Sequence, residues 1–290
     1  PGSAGTAVIT KTEARLWTDG RYFIQAAAQL EGTTVELMKM GEPGVPEMNA
    51  YIGEVLKEGE TLGFDGRVVS VGEGEGYAAI AGKKNAKVNY QVDLIDEIWE
   101  DRPVLSEEPA FNLDVKYAGE TVASKLARIR EEMKEAGTNV HVVSTIDDIC
   151  WTLNIRGNDI DFFPLVLSYG IITMDSFELY IDERKLDDKL KAELAKDGVN
   201  LHPYNDIYED VKKFGSDVVA MIDPGKLNYA LFNNIPENVK TVEKRNPAIL
   251  MKAIKNPVEI ENIRKAQIKD SVAHVRFMKW LKENVGKMRI

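Results

Sequence analysis

An internal repeat is the feature that most limits how this chain can fold. The segment Val8–Arg21 (VITKTEARLWTDGR) resembles Ile171–Arg184 (IITMDSFELYIDER), with five identical residues among fourteen. The two segments lie 163 residues apart, which is too long a period for a solenoid of short stacked repeats. We therefore expect two copies of one α/β domain.

Each copy of the repeat ends in an aspartate that precedes a helical pattern. Asp19 follows the strand pattern ARLWT, and Asp182 follows FELYI. Aspartate is a favoured N-cap because its carboxylate accepts hydrogen bonds from the free N–H groups of the first turn. We interpret Asp19 and Asp182 as helix caps and not as catalytic groups, since a catalytic pair need not be copied into both halves.

Alternating strand and helix patterns predict an α/β chain in which each copy is a mixed sheet flanked by helices. Residues 6–18 read as a hairpin, TAVIT and ARLWT joined by a short turn. The segment Arg102–Asp114 contains two prolines and has little periodicity, which is typical of a domain boundary. We place the first domain at residues 1–104, the second at 105–255, and a terminal helix at 256–290.

Three glycines, Gly72, Gly74 and Gly76, lie close together in the first domain. Their spacing matches neither the dinucleotide-binding nor the P-loop pattern. We therefore predict a loop that runs into a helix, and not a phosphate-binding site.

The terminal helix is predicted to begin near Pro257, because proline is favoured in a first turn. Its apolar residues fall on two opposite faces, and a helix that is apolar on two faces needs two packing partners. We expect the second partner to be further chain or another subunit. The two sets are Ile260, Ile263, Ala266, Ala273, Phe277 and Leu281, and Ile268, Val272, Val275 and Met278.

Composition excludes several classes of function. The net charge of −10 argues against a nucleic-acid or anionic-membrane partner, and no apolar run is long enough to span a bilayer. The single cysteine, Cys150, cannot form an internal disulfide and fits a reducing compartment such as the cytoplasm. Its apolar context predicts a buried, inert thiol.

The chain shows no metal-binding or catalytic motif. The three histidines are about sixty to seventy residues apart, and none lies in a ligand motif. His141 falls in an apolar strand pattern and is expected in the core. Residue chemistry alone therefore predicts no catalytic residue and no metal site.

One loop differs from this background. The segment NIRGNDIDFFP (154–164) follows an apolar helix pattern and combines Arg156 with two aspartates and two phenylalanines. Arg156 could bind a carboxylate, and Phe162 and Phe163 could line an apolar pocket. The alternative is that Arg156 pairs with Asp159 inside the domain.

Four segments in this order resemble three-domain aminopeptidase P, the Xaa-Pro aminopeptidase family: GSAGTAVIT…LWTDGRYFIQA, GFDGRVVS, WTLNIRGNDI and KNPVEIENIRKAQIKDSVAHVRFMKWL. The resemblance covers nearly all of the chain. It implies two creatinase-type N-terminal domains, the first without its start, and a "pita-bread" catalytic domain of which only the opening helix is present. That domain would hold two manganese ions and release the residue that precedes proline from peptides with proline in second position.

On this resemblance the chain is a non-catalytic N-terminal portion, inactive alone, that shapes substrate access and contributes to a homodimer. The loop would face the catalytic cavity, with Arg156, Asp159 and Phe163 as substrate-facing residues. The alternative is a catalytically inactive creatinase-type module that binds a protein partner. Spaced Asp, Asp, His, Glu and Glu residues encoded after Ile290 would favour the first interpretation, and a stop codon the second.

Overall fold

The computed structural model describes residues 3–288, which form two compact units divided between Ile98 and Trp99. The core of the first unit forms around Trp17, which packs with Met38 and Tyr51 and donates its indole N–H to the carbonyl of Pro46 over 2.9 Å. The aromatic residue of the repeat is therefore strand core, as expected. The elements of this unit are β1 (Thr6–Ile9), β2 (Ala14–Thr18), α1 (Phe23–Leu30), β3 (Val35–Lys39), α2 (Met48–Val55), β4 (Thr61–Gly63), α3 (Val71–Lys83) and β5 (Lys87–Asn89).

The second unit holds the larger sheet and most of the helices. Two short 3₁₀ helices, Glu183–Lys185 and Val211–Lys213, supplement its regular elements. The others are β6 (Phe111–Asn112), α4 (Val115–Ala118), α5 (Val122–Glu135), β7 (Val140–Val143), α6 (Ile146–Thr152), β8 (Ile155–Arg156), β9 (Ser168–Thr173), β10 (Phe177–Ile181), α7 (Asp188–Lys196), β11 (Val199–His202), α8 (Ile207–Asp210), β12 (Val219–Ile222), α9 (Tyr229–Phe232), β13 (Lys240–Glu243), α10 (Pro247–Ala253) and α11 (Pro257–Asn284).

Both units contain mixed or parallel sheets packed by helices, which confirms the predicted fold class. In the first unit β1 is antiparallel to β2, β2 is parallel to β3, and β4 and β5 form a separate parallel pair. In the second unit six strands follow the order β11-β10-β9-β7-β12-β13. Helix α5 covers this sheet with Leu126, Ile129 and Met133, which are fully buried.

The repeat extends to strand register. Ile9 pairs with Ala14 in the first hairpin, and Ile172 pairs with Phe177 in the second, so each pair is displaced by 163 residues. In both copies a third strand then pairs in parallel with the second strand of the hairpin. Two segments with few identical residues thus form the same three-stranded unit.

Asp182 caps a short helix as expected, but Asp19 does not, so the expectation was wrong for Asp19. Helix α1 begins only at Phe23, with no side-chain cap, and Asp182 caps only the 3₁₀ helix. Each carboxylate binds the arginine two residues later: Asp19 accepts from the backbone and guanidinium of Arg21, and Asp182 does the same with Arg184. The repeated D-x-R pattern is a locally closed, ion-paired turn.

The structure of the glycine-rich segment also differs from the predicted loop. Helix α3 begins at Val71 and contains all three glycines, which were expected in a loop. The reason is a capping box: the Ser70 hydroxyl accepts from the Glu73 N–H over 3.3 Å, and the Glu73 carboxylate accepts from the Ser70 N–H over 3.1 Å. This start signal outweighs the low helix propensity of glycine.

Helix α11 begins at Pro257 as predicted, with a capping box formed by Asn256 and Glu259. Its first turns lie against α4, where Asn256 donates to the carbonyl of Ala118 over 2.7 Å. Beyond these turns its side chains are largely exposed, including both predicted apolar faces. Within residues 3–288 no helix has the length and apolar character to cross a membrane.

Candidate functional site

The loop singled out in the sequence forms a tight turn that displays two phenylalanines. The Phe163 N–H donates to the carbonyl of Ile160 over 3.1 Å, which closes the turn. Phe162 lies in the left-handed region at φ +66°, where a bulky residue is strained, and its side chain is fully exposed. Phe163 is 62% exposed. The turn therefore presents an apolar surface to the outside of the unit.

A buried ion pair holds this turn in place. The Asp159 carboxylate lies 2.6 Å from the Lys185 ammonium and also accepts from the Leu167 N–H over 2.7 Å. The Asp159 side chain was expected to face substrate, but it is only 1% exposed and holds the loop from within the unit. The alternative pairing with Arg156 is not formed either: Asp159 pairs with Lys185, and Arg156 donates to backbone carbonyls.

Arg156 lies on β8 and lines a cavity of about 420 Å³ in the second unit. Its Nη1 donates to the carbonyls of Cys150 and Ile155, each over 2.8 Å. Burial lowers the pKa of the guanidinium. Phe163 is not among the cavity residues, so the three predicted site residues occupy three different environments: cavity wall, buried anchor and exposed turn.

A second cation, Lys125, contributes to the same cavity. Helix α5 places it on its buried face, and it is 1% exposed. Its ammonium donates to the Trp151 carbonyl and to Asn154 Oδ1, both over 2.7 Å, and lies 4.3 Å from the centre of the Trp151 ring. Burial lowers the pKa of Lys125 to about 8. The lysine ammonium is therefore removed from water but hydrogen-bonded within the protein.

The backbone at the end of α6 makes this arrangement possible. Asn154 adopts a left-handed conformation at φ +51°, a region that asparagine tolerates better than most residues. Its Nδ2 donates to the carbonyl of Glu120 over 2.9 Å, which fixes the orientation of Oδ1 toward Lys125. The cation also lies near the carbonyl end of α6, where positive charge is favoured.

Another part of the cavity wall comes from α11. Glu259, Asn262 and Ile263 line it, together with Tyr117 of α4. Glu259 Oε2 accepts from the Asn256 N–H over 2.9 Å, and its negative charge acts on both Lys125 and Arg156. The cavity lining thus combines two cations, an anionic group that acts on both, and apolar side chains.

Lys125 was missed by the sequence reasoning, although a signal was present. It lies three residues after Val122 and one before Leu126, within the apolar stripe of an amphipathic helix. The ammonium of a lysine at such a position must either find hydrogen-bond acceptors or reach solvent, and here it has two acceptors. A charged residue within an apolar stripe is thus worth treating as a candidate site residue.

Two other predicted core residues are buried as expected. His141 is 1% exposed and contacts the Met221 carbonyl through Nδ1 and Asn246 Oδ1 through Nε2. Cys150 is also buried, and burial raises the pKa of its thiol to about 11. Across residues 3–288, no three His, Cys, Asp or Glu side chains are grouped so that they could hold a metal ion.

Comparison with known families identifies the fold of both units. Residues 1–98 and residues 101–259 each match a model described as the creatinase/prolidase N-terminal domain. The chain belongs to the creatinase/prolidase N-terminal domain family. It carries two such domains in tandem, in agreement with the repeat and its conserved strand register.

Relatives of this tandem creatinase-type chain are peptidases by name. It is 35% identical to aminopeptidase P2 of Arabidopsis thaliana over 99% of its own length and 45% of that protein. It is 36% identical to Xaa-Pro aminopeptidase 1 of Dictyostelium discoideum over 98% of its length and 46% of that protein. The chain therefore spans about half the length of the curated relatives it matches.

A solved structure agrees along almost the whole chain. The X-prolyl aminopeptidase from Caenorhabditis elegans, described as a cytosolic enzyme with a di-nuclear active site, superposes with a TM-score of 0.91 at 33% identity. The match covers 97% of this chain and 46% of that one. Both creatinase-type domains thus have counterparts in one relative of known structure.

Proposed function

We propose that this chain is the N-terminal, non-catalytic portion of a metal-dependent Xaa-Pro aminopeptidase, which releases the residue before proline from peptides with proline in second position. The supporting observation is the match to the Caenorhabditis elegans enzyme over 97% of this chain but only 46% of that one. The relatives that carry peptidase names in plants and Dictyostelium show the same half-length pattern.

The metal centre of such an enzyme would lie outside the residues described. The relative of known structure is described as having a di-nuclear active site. We propose that the catalytic half holds two manganese ions. The side chains of residues 3–288 do not fit such a centre, because no three potential ligands among them are grouped. No catalytic step is therefore assigned to this chain.

The role that we propose for the second unit is control of substrate access. The Phe162–Phe163 turn is exposed, apolar and anchored from beneath by the Asp159–Lys185 ion pair. A rigidly held apolar turn is suited to contact the side chains of a bound peptide. Among the three sequence-predicted residues, we assign the substrate-facing role to Phe163, and Asp159 positions it.

We also propose a cytosolic homodimer. The exposed apolar side chains of α11 give surface for packing against the catalytic half and for assembly. The single, free Cys150 fits a reducing compartment, and the relative of known structure is described as cytosolic. Sedimentation of the complete gene product at twice its chain mass would support the dimer, and a single chain mass would contradict it.

A manganese-dependent assay with a Xaa-Pro tripeptide tests the proposal. The complete gene product should release the first residue, and the 290-residue chain should not. In the complete protein, Phe163→Ala should raise KM with little change in kcat, because the turn contacts substrate and not the reacting bond. Leu250→Ala is the matched control, since Leu250 is also 62% exposed and lies on α10. Turnover by the 290-residue chain alone would contradict the proposal.

A further inference from the structure

The cavity of the second unit has the features of a small-molecule site. Its volume of about 420 Å³ lies within the range of ligand pockets, roughly 300–1,000 Å³. Leu113, Trp151 and Ile263 supply apolar walls, while the polar groups are few and come from separate elements. An apolar cavity with a few converging polar groups is the usual form of a binding site for a small ligand.

The cationic wall has unused hydrogen-bonding capacity. Arg156 uses Nη1 for two backbone carbonyls, and its Nε and Nη2 have no partner among residues 3–288. Those carbonyl contacts fix the guanidinium, so its free edge is already oriented. A fixed guanidinium edge is the side-chain group best suited to bind a carboxylate in two hydrogen bonds.

Lys125 adds positive charge to the same cavity lining. Two of its three N–H groups are used by the Trp151 carbonyl and by Asn154 Oδ1. Two neighbouring cations in an apolar surrounding repel each other, and a bound carboxylate would relieve that repulsion. The cationic wall therefore favours an anionic group of the ligand.

The anionic wall has matching free capacity. Glu259 uses Oε2 for the Asn256 N–H in the helix cap, and Oε1 has no hydrogen-bond partner in the described part of the chain. Glu259 lines the cavity, and its charge acts on both cations. A ligand ammonium could bind there without disturbing the cap.

We propose that this cavity binds a zwitterionic amino acid or dipeptide with an apolar side chain, its carboxylate on Arg156 and its ammonium on Glu259. The apolar side chain packs between Trp151 and Ile263. Every residue that carries this proposal lies within the second unit, so binding can be measured on the 290-residue chain without any peptidase activity.

Isothermal titration of the 290-residue chain tests the ligand chemistry. L-leucine and L-leucyl-L-leucine should both bind, and the tighter of the two reports the preferred length. Leucinamide lacks the carboxylate and 4-methylpentanoate lacks the ammonium, so each should bind at least roughly tenfold more weakly than leucine. Absence of binding by both zwitterions up to about 10 mM would overturn the proposal. Equal binding of either truncated compound would do the same.

Substitutions on α11 test the location. Ile263→Trp should fill the cavity and abolish binding. Ile268→Trp is the matched control, because Ile268 lies further along the same helix, is 68% exposed and does not line the cavity. Binding that survives Ile263→Trp, or is lost equally in both variants, would place the ligand elsewhere.

Glu259→Gln tests the ammonium contact separately from folding. Glutamine at this position can still accept from the Asn256 N–H, so the capping box persists. Leucine should bind at least roughly tenfold more weakly to this variant, while 4-methylpentanoate should lose no affinity. The melting temperature checks that the fold is intact. Unchanged leucine affinity in a folded Glu259→Gln protein would overturn the assignment of the anionic wall.

Discussion

The Asp159 carboxylate lies 2.6 Å from the Lys185 ammonium, and the two side chains are 1% and 2% exposed. Lys185 directly follows the D-x-R turn of the second repeat, at the end of its 3₁₀ helix. The ion pair thus links a structural element of the repeat to the loop that carries Phe162 and Phe163. Because both charges are removed from water, each charged side chain is stabilised in the folded state only while its partner is present.

The variant Lys185→Met should lower the free energy of unfolding by about 3–5 kcal/mol, because the Asp159 carboxylate would remain buried without its partner. The double variant Asp159→Asn with Lys185→Met should be less destabilised than the single one, since no buried charge remains. Urea denaturation measures both values.

The neighbouring ion pair of Lys191 and Glu183 provides the control. Its atoms are 3.3 Å apart and its side chains are 35% and 48% exposed. Lys191→Met should therefore cost at most about 1 kcal/mol. Equal losses in Lys185→Met and Lys191→Met would show that burial does not strengthen the dependence of Asp159 on Lys185.

Lys125 should make stability rise with pH in the alkaline range. Burial lowers its pKa to about 8 from the ordinary value of 10.5. Between these values the unfolded chain binds more protons than the folded one, so the free energy of unfolding increases with pH. The destabilisation by the buried charge is present below about pH 8 and is relieved as the pH approaches about 10.5.

Comparison with Lys125→Met isolates this effect from other titrating groups. The free energy of unfolding of the unaltered chain, relative to that of the variant, should increase by about 2 kcal/mol between about pH 7.5 and about pH 10. Urea denaturation at both pH values gives the difference. A constant difference would mean that Lys125 is not desolvated in the folded state.

The strained residue Phe162 should be replaceable with a gain in stability. Its side chain is fully exposed, so it loses no packing, and its φ of +66° suits asparagine better than phenylalanine. Phe162→Asn should raise the free energy of unfolding by roughly 0.5–1 kcal/mol. Phe163→Asn should give no such gain, because Phe163 is not in the left-handed region. Thermal denaturation compares the two, and a loss of stability in Phe162→Asn would contradict the strain.

Gly157 should not tolerate a side chain. A Cβ there would lie 2.6 Å from Cγ2 of Val166, which is itself buried, so the loop would have to shift. Gly157→Ala should cost about 1–3 kcal/mol. Gly76→Ala should instead be neutral or stabilising by up to about 1 kcal/mol, because Gly76 lies inside α3 with open space around it. A loss in Gly76→Ala as large as that in Gly157→Ala would contradict this explanation.

The parts of the fold that could be predicted depend on signals close together in sequence. The first hairpin follows from alternation over residues 6–18, and the start of α11 follows from Pro257. The internal repeat predicted the duplicated domain. The prediction of a loop at Gly72–Gly76 was wrong. It relied on the high glycine content and overlooked the helix start signal of Ser70 and Glu73. Asp182 was correctly interpreted as a helix cap, although only of a 3₁₀ helix, whereas Asp19 was not, because α1 begins only at Phe23.

The candidate site depends on contacts between distant residues, and these have no local signal. Lys125 meets Asn154, 29 residues later, and Asp159 meets Lys185, 26 residues later. The sequence showed that the segment 154–164 is unusual in composition. It could not show that Asp159 is buried, because burial there depends on which cation the fold brings beneath the turn.

The strand order of the larger sheet also limits the order in which its strands can pair during synthesis. Strand β7 lies between β9 and β12, and its residue Val140 pairs with Ala220, eighty positions downstream. The β9–β10 hairpin closes over a short distance and can form as soon as it leaves the ribosome. One edge of β7 then stays open until Val219–Ile222 has been synthesised, so the nascent chain exposes an unpaired strand edge during that interval and is prone to misassembly there.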